Sequence, residues 1–186
     1  MYAQLISDKP WPVSALPPSL RYAKEATLNA HGYYLYDVPP KPVVNPKTHE
    51  VYGPTLAFDG TQVTATWMVV EKSLEAIKEA KLAEIAAARY AQETGGLVVN
   101  GMTIRTDRES QALITGAALK ASTDATYVCR WKAVEGFVQL TAAQIIAVAD
   151  AVRDHVQASF DHEAELVALI DAAETVEELE AITWQS

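Results

Sequence analysis

The chain has 186 residues, 49% hydrophobic and 21% charged, which excludes intrinsic disorder and leaves room for one sizeable core or two small domains. Its formal net charge of −9 is unevenly placed. Residues 1–140 carry 14 Lys/Arg against 14 Asp/Glu, whereas residues 141–186 carry Arg153 alone against ten acids, the whole of the net charge. Nucleic acid is repelled from that end, so no nucleic-acid partner is expected. Two readings of the acidic end stand open: a solvated face that keeps the chain soluble, and a surface that docks on a basic partner.

All nine prolines fall between Pro10 and Pro54. Proline is excluded from helix interiors and central strands, so residues 1–54 are expected to form short edge strands, turns and extended segments. Tyr2–Ile6 reads as a first strand. Trp11, between Pro10 and Pro12, is expected as an anchor packed on the core. The segment His31–Val38 reads as a strand, because aromatic and apolar side chains fit a half-buried pleated surface. Its Tyr33, Tyr34 and Tyr36 admit two readings, core or contact patch, since tyrosine supplies large contact area at low entropic cost. Pro39-Pro40-Lys41-Pro42 favours polyproline II geometry, as a rigid connector or a recognised ligand. Val51–Phe58, Asp59-Gly60 and Gln62–Val70 read as a hairpin, with Trp67 closing the N-terminal core.

From Ser73 to Glu93 the pattern is helical, with Ser73 as N-cap candidate and Gly95-Gly96 as the stop. Lys72, Lys78 and Lys81 alternate with Glu71, Glu75, Glu79 and Glu84, as on an exposed helix. Leu74, Ile77, Leu82, Ile85 and Ala88 give only a thin apolar stripe, which predicts a bridge between domains, with self-association of this helix as the other possibility.

The stretch from Gly95 to Ala118 is the most orderly in the chain. Leu97–Val99 and Met102–Arg105 flank Asn100-Gly101, the strongest short-range hairpin signal, because a type I′ turn needs φ > 0 at both central positions. Thr106-Asp-Arg-Glu109 reads as a capping box, and Leu113, Ile114, Ala117, Ala118 and Ala121 follow at helical spacing. Tyr127–Lys132 and Phe137–Leu140, joined across Glu135-Gly136, form a second hairpin. Thr141 and Gln144 make a second capping box, ahead of Ile145, Val148, Val152, Val156 and Phe160 along one helix face of about five turns. Asp161 is expected to restart a shorter helix with Leu166, Leu169 and Ile170 inward. Thr175 and Glu178 make a third box, and Leu179, Ile182 and Trp184 seal the end. The expected fold class is α+β: a small β-rich, Pro-rich N-terminal domain over 1–72, a linking helix over 73–94, and a domain of two β-hairpins with several α-helices over 95–186.

Gly96, Val99, Gly101, Ile104, Thr106, Asp107, Ser110 and Gln111 carry a resemblance. It continues through Val128, Arg130, Trp131 and Lys132, then Gly136-Phe137, His155-Val156-Gln157 and Phe160. It closes on Thr175, Glu177, Glu178, Leu179, Ile182 and Trp184. This ordered set resembles a C-terminal domain of unknown function found in tail proteins of tailed bacteriophages, over roughly residues 73–186. The segment Leu28 to Tyr33 and the Trp67 strand are similar to N-terminal portions of phage tail-fibre-associated proteins. The resemblance implies a virion or prophage tail context rather than a reaction, with synthesis in the host bacterial cytoplasm.

No constellation of reactive groups emerges from the sequence. His155 and His162 are seven apart, two helical turns, too far to share one metal ion; they read as a surface and a helix-junction histidine. Cys129 sits mid-strand among apolar neighbours as a small core residue, and as a lone cysteine it fits cytosolic synthesis and forms no intrachain disulfide. Ser110 lacks a nucleophile elbow. No apolar run reaches the ~20 residues of a membrane helix, and residues 1–12 show no secretory pattern. No catalytic residue, metal site or cofactor is therefore expected, and no membrane partner. The expected role is a structural component of a phage tail, in the baseplate or fibre region, working by protein–protein docking. The alternative is a fibre assembly chaperone that binds transiently. The candidate interface residues are Trp11, Tyr33, Tyr34 and Tyr36, the partners are other tail proteins, and a homo-oligomer is expected.

Overall fold

The computed structural model describes residues 1–134 and 136–185; Glu135, placed in the second hairpin turn by the sequence, and Ser186 lie outside them. The chain divides into two compact units, Met1–Ser73 and Leu74–Ser186. Both are built from small antiparallel sheets and helices, an α+β architecture.

In the first unit, β1 (Tyr2–Ile6) lies between β2 (Lys9–Val13) and β3 (Tyr33–Leu35). Pro10 and Pro12 lack the amide a central ladder needs, which confines β2 to an edge. The expected strand His31–Val38 is only the three residues of β3. A short helix, α1 (Glu25–Ala30), occupies part of the region read as strands and turns. The prolines leave positions 19–38 free, and α1 carries no side-chain cap that a sequence reading could seize on. β4 (His49–Phe58) and β5 (Val63–Glu71) form the expected hairpin. At its turn the Asp59 carboxylate accepts from the Gln62 and Thr61 amides and the Thr61 hydroxyl, which lowers its pKa to about 2. The core joins Ala3, Tyr36, Val63 and Ala65, with Leu5, Tyr34, Leu56 and Phe58 against it. Trp67 does not close this core. Its Nε1 donates to the Pro39 carbonyl (2.9 Å) and its ring lies under the Lys41 ammonium, so the Pro-rich segment is tied to β5.

The second unit opens with α2 (Leu74–Thr94), the helix expected as a linker, which instead packs on the unit's own core. Gly96 follows at φ +89, a conformation that favours glycine, where an added Cβ would stand 3.2 Å from the Ile104 carbonyl. The hairpin β6 (Leu97–Val99) and β7 (Met102–Ile104) turns through Asn100 and Gly101, both at positive φ, as the Asn-Gly pair predicts. The cap of α3 (Arg108–Thr123) is displaced by one residue from the expected one. Asp107, not Thr106, accepts from the Ser110 amide. That bond, then one from the Ser110 hydroxyl, holds the Asp107 carboxyl below its ordinary range. Thr106 is fully buried, and its hydroxyl accepts from the Gly96 amide (2.9 Å), tying the exit of α2 to the entry of α3. Leu113, expected inward, is exposed, whereas Ile114 is buried.

β8 (Val128–Ala133) and β9 (Gly136–Thr141) form the second ribbon, with Cys129, Trp131, Val138 and Leu140 on its core face. Thr141 and Gln144 close the expected capping box of α4. α4 (Ala142–Ala172) is one continuous helix of 31 residues, with no restart at Asp161. Its buried positions are Ala142, Ile145, Val148, Val152, Ser159, Leu166 and Ile170, spaced by three, four or seven. The apolar pattern falters only because the middle of that seam is polar, and Phe160 and Leu169 turn outward. α5 (Val176–Ala181) opens on the Thr175–Glu178 box, and Leu179, Ile182 and Trp184 pack against Ile77, Ile85, Leu166 and Ile170.

The Thr106 assignment makes a testable distinction. Thr106→Val keeps the shape but strands the Gly96 amide, and is expected to cost about 1–3 kcal/mol. Glu109→Ala removes no cap and is expected to leave the urea midpoint unmoved; a reversed order in chemical denaturation would restore the Thr106–Glu109 box.

Candidate interaction surface

Opposed residues of antiparallel strands point to the same face, and alternate residues to opposite faces. The register Pro12–Ala3–Tyr34 therefore defines the core face of the three-stranded sheet, on which Ala3 is fully buried. The register Trp11–Gln4–Tyr33 defines the outer face. Trp11, expected in the core, is thus 55% exposed, and Tyr33 is half-buried beside the same strand. Tyr34 packs against Phe58 in a tilted arrangement, 4.8 Å between ring centroids, and Tyr36 is buried. The two readings of the tyrosine cluster therefore divide by alternation: Tyr34 and Tyr36 belong to the core and Tyr33 to the surface.

Tyr2, Ile6, Lys9, Val13 and Leu35 complete the outer face by the same register, with Ile6, Lys9 and Leu35 exposed. The alternation of Tyr2, Gln4 and Ile6 was the available signal for it. The pairing that brings Trp11 and Tyr33 to one strand was not. Apart from Gln4 at its centre and Lys9 at its edge, the face is aromatic and aliphatic across three strands, a composition typical of contact surfaces.

In the second unit, the two histidines make fold contacts. His155 Nε2 donates to the Gln92 carbonyl (2.9 Å), linking α4 to the end of α2. His162 Nε2 donates to the Trp184 carbonyl (2.8 Å), and the two rings meet edge to face at 4.6 Å. With Gln92 and Ser159 they line a shallow hollow of about 400 Å³. Cys129 is half-buried on the core face of the ribbon, and the Ser110 hydroxyl donates to the Asp107 carboxylate (2.9 Å). Among the described residues no three His, Cys, Asp or Glu side chains converge, and no helix is long and apolar enough to cross a membrane.

One cluster of charge lies between the helices of the second unit. Arg89 on α2 pairs with Glu93 one turn on, and its Nε donates to Glu163 on α4 (3.1 Å). Phe160 covers the guanidinium at 4.5 Å, and Gln111 of α3 donates to Glu93. Lys81, expected on an exposed face, is buried and donates to the Ile182 carbonyl (3.1 Å), while Lys78 donates to the Asp171 carbonyl (2.8 Å). The positions Ile77, Lys81, Ile85, Arg89 and Glu93, spaced by four, thus form one inward stripe.

These features define a two-unit α+β protein that presents an aromatic sheet face on its first unit and a charge-tied helical second unit. Its family follows from the second unit: residues 76–183, more than half of the chain, match a domain of unknown function, DUF4376, and the chain belongs to that family. No curated protein and no solved structure matches the chain.

Breaking a buried ion pair from one side leaves an uncompensated charge. Arg89→Ala is expected to lower stability by about 3–5 kcal/mol, and Arg89→Met combined with Glu93→Gln to cost less than Arg89→Met alone. Urea denaturation checks both; equal losses with and without Glu93→Gln would mean that Glu93 is not the group left behind.

Proposed function

We propose that the chain is a structural component of a bacteriophage tail, in the baseplate or fibre region, and that it acts by docking on other tail proteins. The observation that carries the docking is the outer face of the β2–β1–β3 sheet. Trp11, Tyr33, Leu35 and Ile6 lie on one side of three strands whose other side forms the core. An exposed cluster of aromatic and aliphatic side chains around the central Gln4 is the composition of a contact site. The resemblance carried by the Gly96–Gln111 and Val128–Lys132 motifs supplies the tail context. Repeated copies in a particle accord with rotational symmetry, and a homo-oligomer belongs to this reading.

Mass spectrometry of purified intact particles, quantified against a capsid subunit, tests the tail assignment. Stoichiometric recovery of the chain is the expected result. Its absence from particles, with abundance in the producing cell, would replace a structural part by a transient assembly factor. Trp11→Ser combined with Tyr33→Ser tests the docking face: the variant is expected to fold and to be lost from particles, and undiminished incorporation would move the contact elsewhere.

A further inference from the structure

We propose that the second unit binds another copy of this chain head to tail, the outer face of the β8–β9 ribbon of one copy lying along the outer face of α4 of the next. The inference deepens the homo-oligomer part of the docking proposal and rests on it.

The ribbon alternates cleanly. Its core face carries Cys129, Trp131, Val138 and Leu140, and its outer face carries Val128, Arg130, Lys132, Phe137, Gln139 and Thr141. Phe137 is 69% exposed and lies beneath the Lys132 ammonium. That outer face therefore joins two cations to an exposed aromatic ring and, among the described residues, carries no acid.

The complement lies on α4. At 100° per residue, Asp150, Asp154, Asp161 and Glu165 fall within a narrow strip opposite the buried Val148, Ser159 and Leu166. Arg153 contacts Asp150 and Asp154 at 3.3 and 3.7 Å, which leaves the strip strongly negative. Exposed Ala143, Ala147, Ala158 and Ala168 share this side, so a flat ribbon can approach closely. The lengths agree: six strand residues span about 20 Å, and Asp150 to Glu165 about 22 Å of helix.

One chain cannot make this contact with itself. The core face of its ribbon already packs on the first turn of its own α4, through Leu140, Ala142 and Ile145, so the outer face points away. Two different patches meeting between copies make a heterologous interface, which closes into a ring or extends as a filament.

The test is sedimentation equilibrium of the purified full chain with paired charge reversals. The native chain is expected to self-associate, and to weaken as salt rises from about 0.1 M to about 1 M and the Debye length contracts from about 10 Å to about 3 Å. Arg130→Glu with Lys132→Glu, or Asp154→Lys with Asp161→Lys, is expected to weaken association about tenfold or more. The chain carrying all four reversals is expected to associate again, because the patches have exchanged sign. Thermal melts check that the exposed substitutions leave the fold intact, and Arg130→Gln with Lys132→Gln replaces any reversal that unfolds. A native chain that stays monomeric, association indifferent to either reversal, or a fourfold variant that stays apart overturns the proposal. Because purified protein is used, failure here is distinct from absence of the chain from particles.

Discussion

The Arg89 guanidinium is the interaction on which the second unit depends. It lies between Glu93 of its own helix and Glu163 of α4, under the ring of Phe160, with Gln111 of α3 donating to the same Glu93. A cation so enclosed is tolerable only when its partners are fixed, because an unpaired charge away from water is costly. The pairing therefore constrains three helices at once. It fixes the register of α2 on α4, places Phe160 over the cation rather than in an apolar seam, and makes α2 part of the second unit. Lys81 and His162 extend the same logic to the C-terminal segment, donating to the Ile182 and Trp184 carbonyls.

Much of the architecture was legible in the sequence because it depends on local chemistry. Asn100-Gly101 can be read as a turn from two residues, and Thr141–Gln144 and Thr175–Glu178 as caps from four, since the atoms that bond are neighbours in the chain. Where local chemistry offered two solutions, the tertiary contact decided. Thr106 could have capped α3, but its hydroxyl serves the Gly96 amide, and the adjacent Asp107 takes the cap.

What stayed hidden depends on partners distant in sequence. Lys81, Arg89 and Glu93 look like solvent-facing residues until Ile182, Glu163 and Gln111 are brought to them, and so α2 showed only a thin apolar stripe and read as a bridge. The same polar patch, with His155, Ser159, His162 and Glu163 in the middle of the α4 seam, interrupted the apolar period and suggested a break at Asp161. In the first unit the candidate surface was half legible. Trp11 and Tyr33 stand out in the sequence as aromatic, but only the central position of β1 shows that they share a face, and that Tyr34 and Tyr36 belong to the opposite side. Gly96, Thr106, Asp107 and Gln111, which stand out together in the sequence, are the ones that join α2, the β6–β7 hairpin and α3.

Native-state hydrogen exchange of the α2 and α4 amides tests the central claim most directly, that a charged stripe binds α2 into the helical unit. Amides around Ile85 and Arg89 are expected to open with the same free energy as those around Val152 and Leu166, as one cooperative element. Exchange of α2 at a distinctly lower free energy, independent of α4, would contradict the account and return α2 to the role of a separate linker.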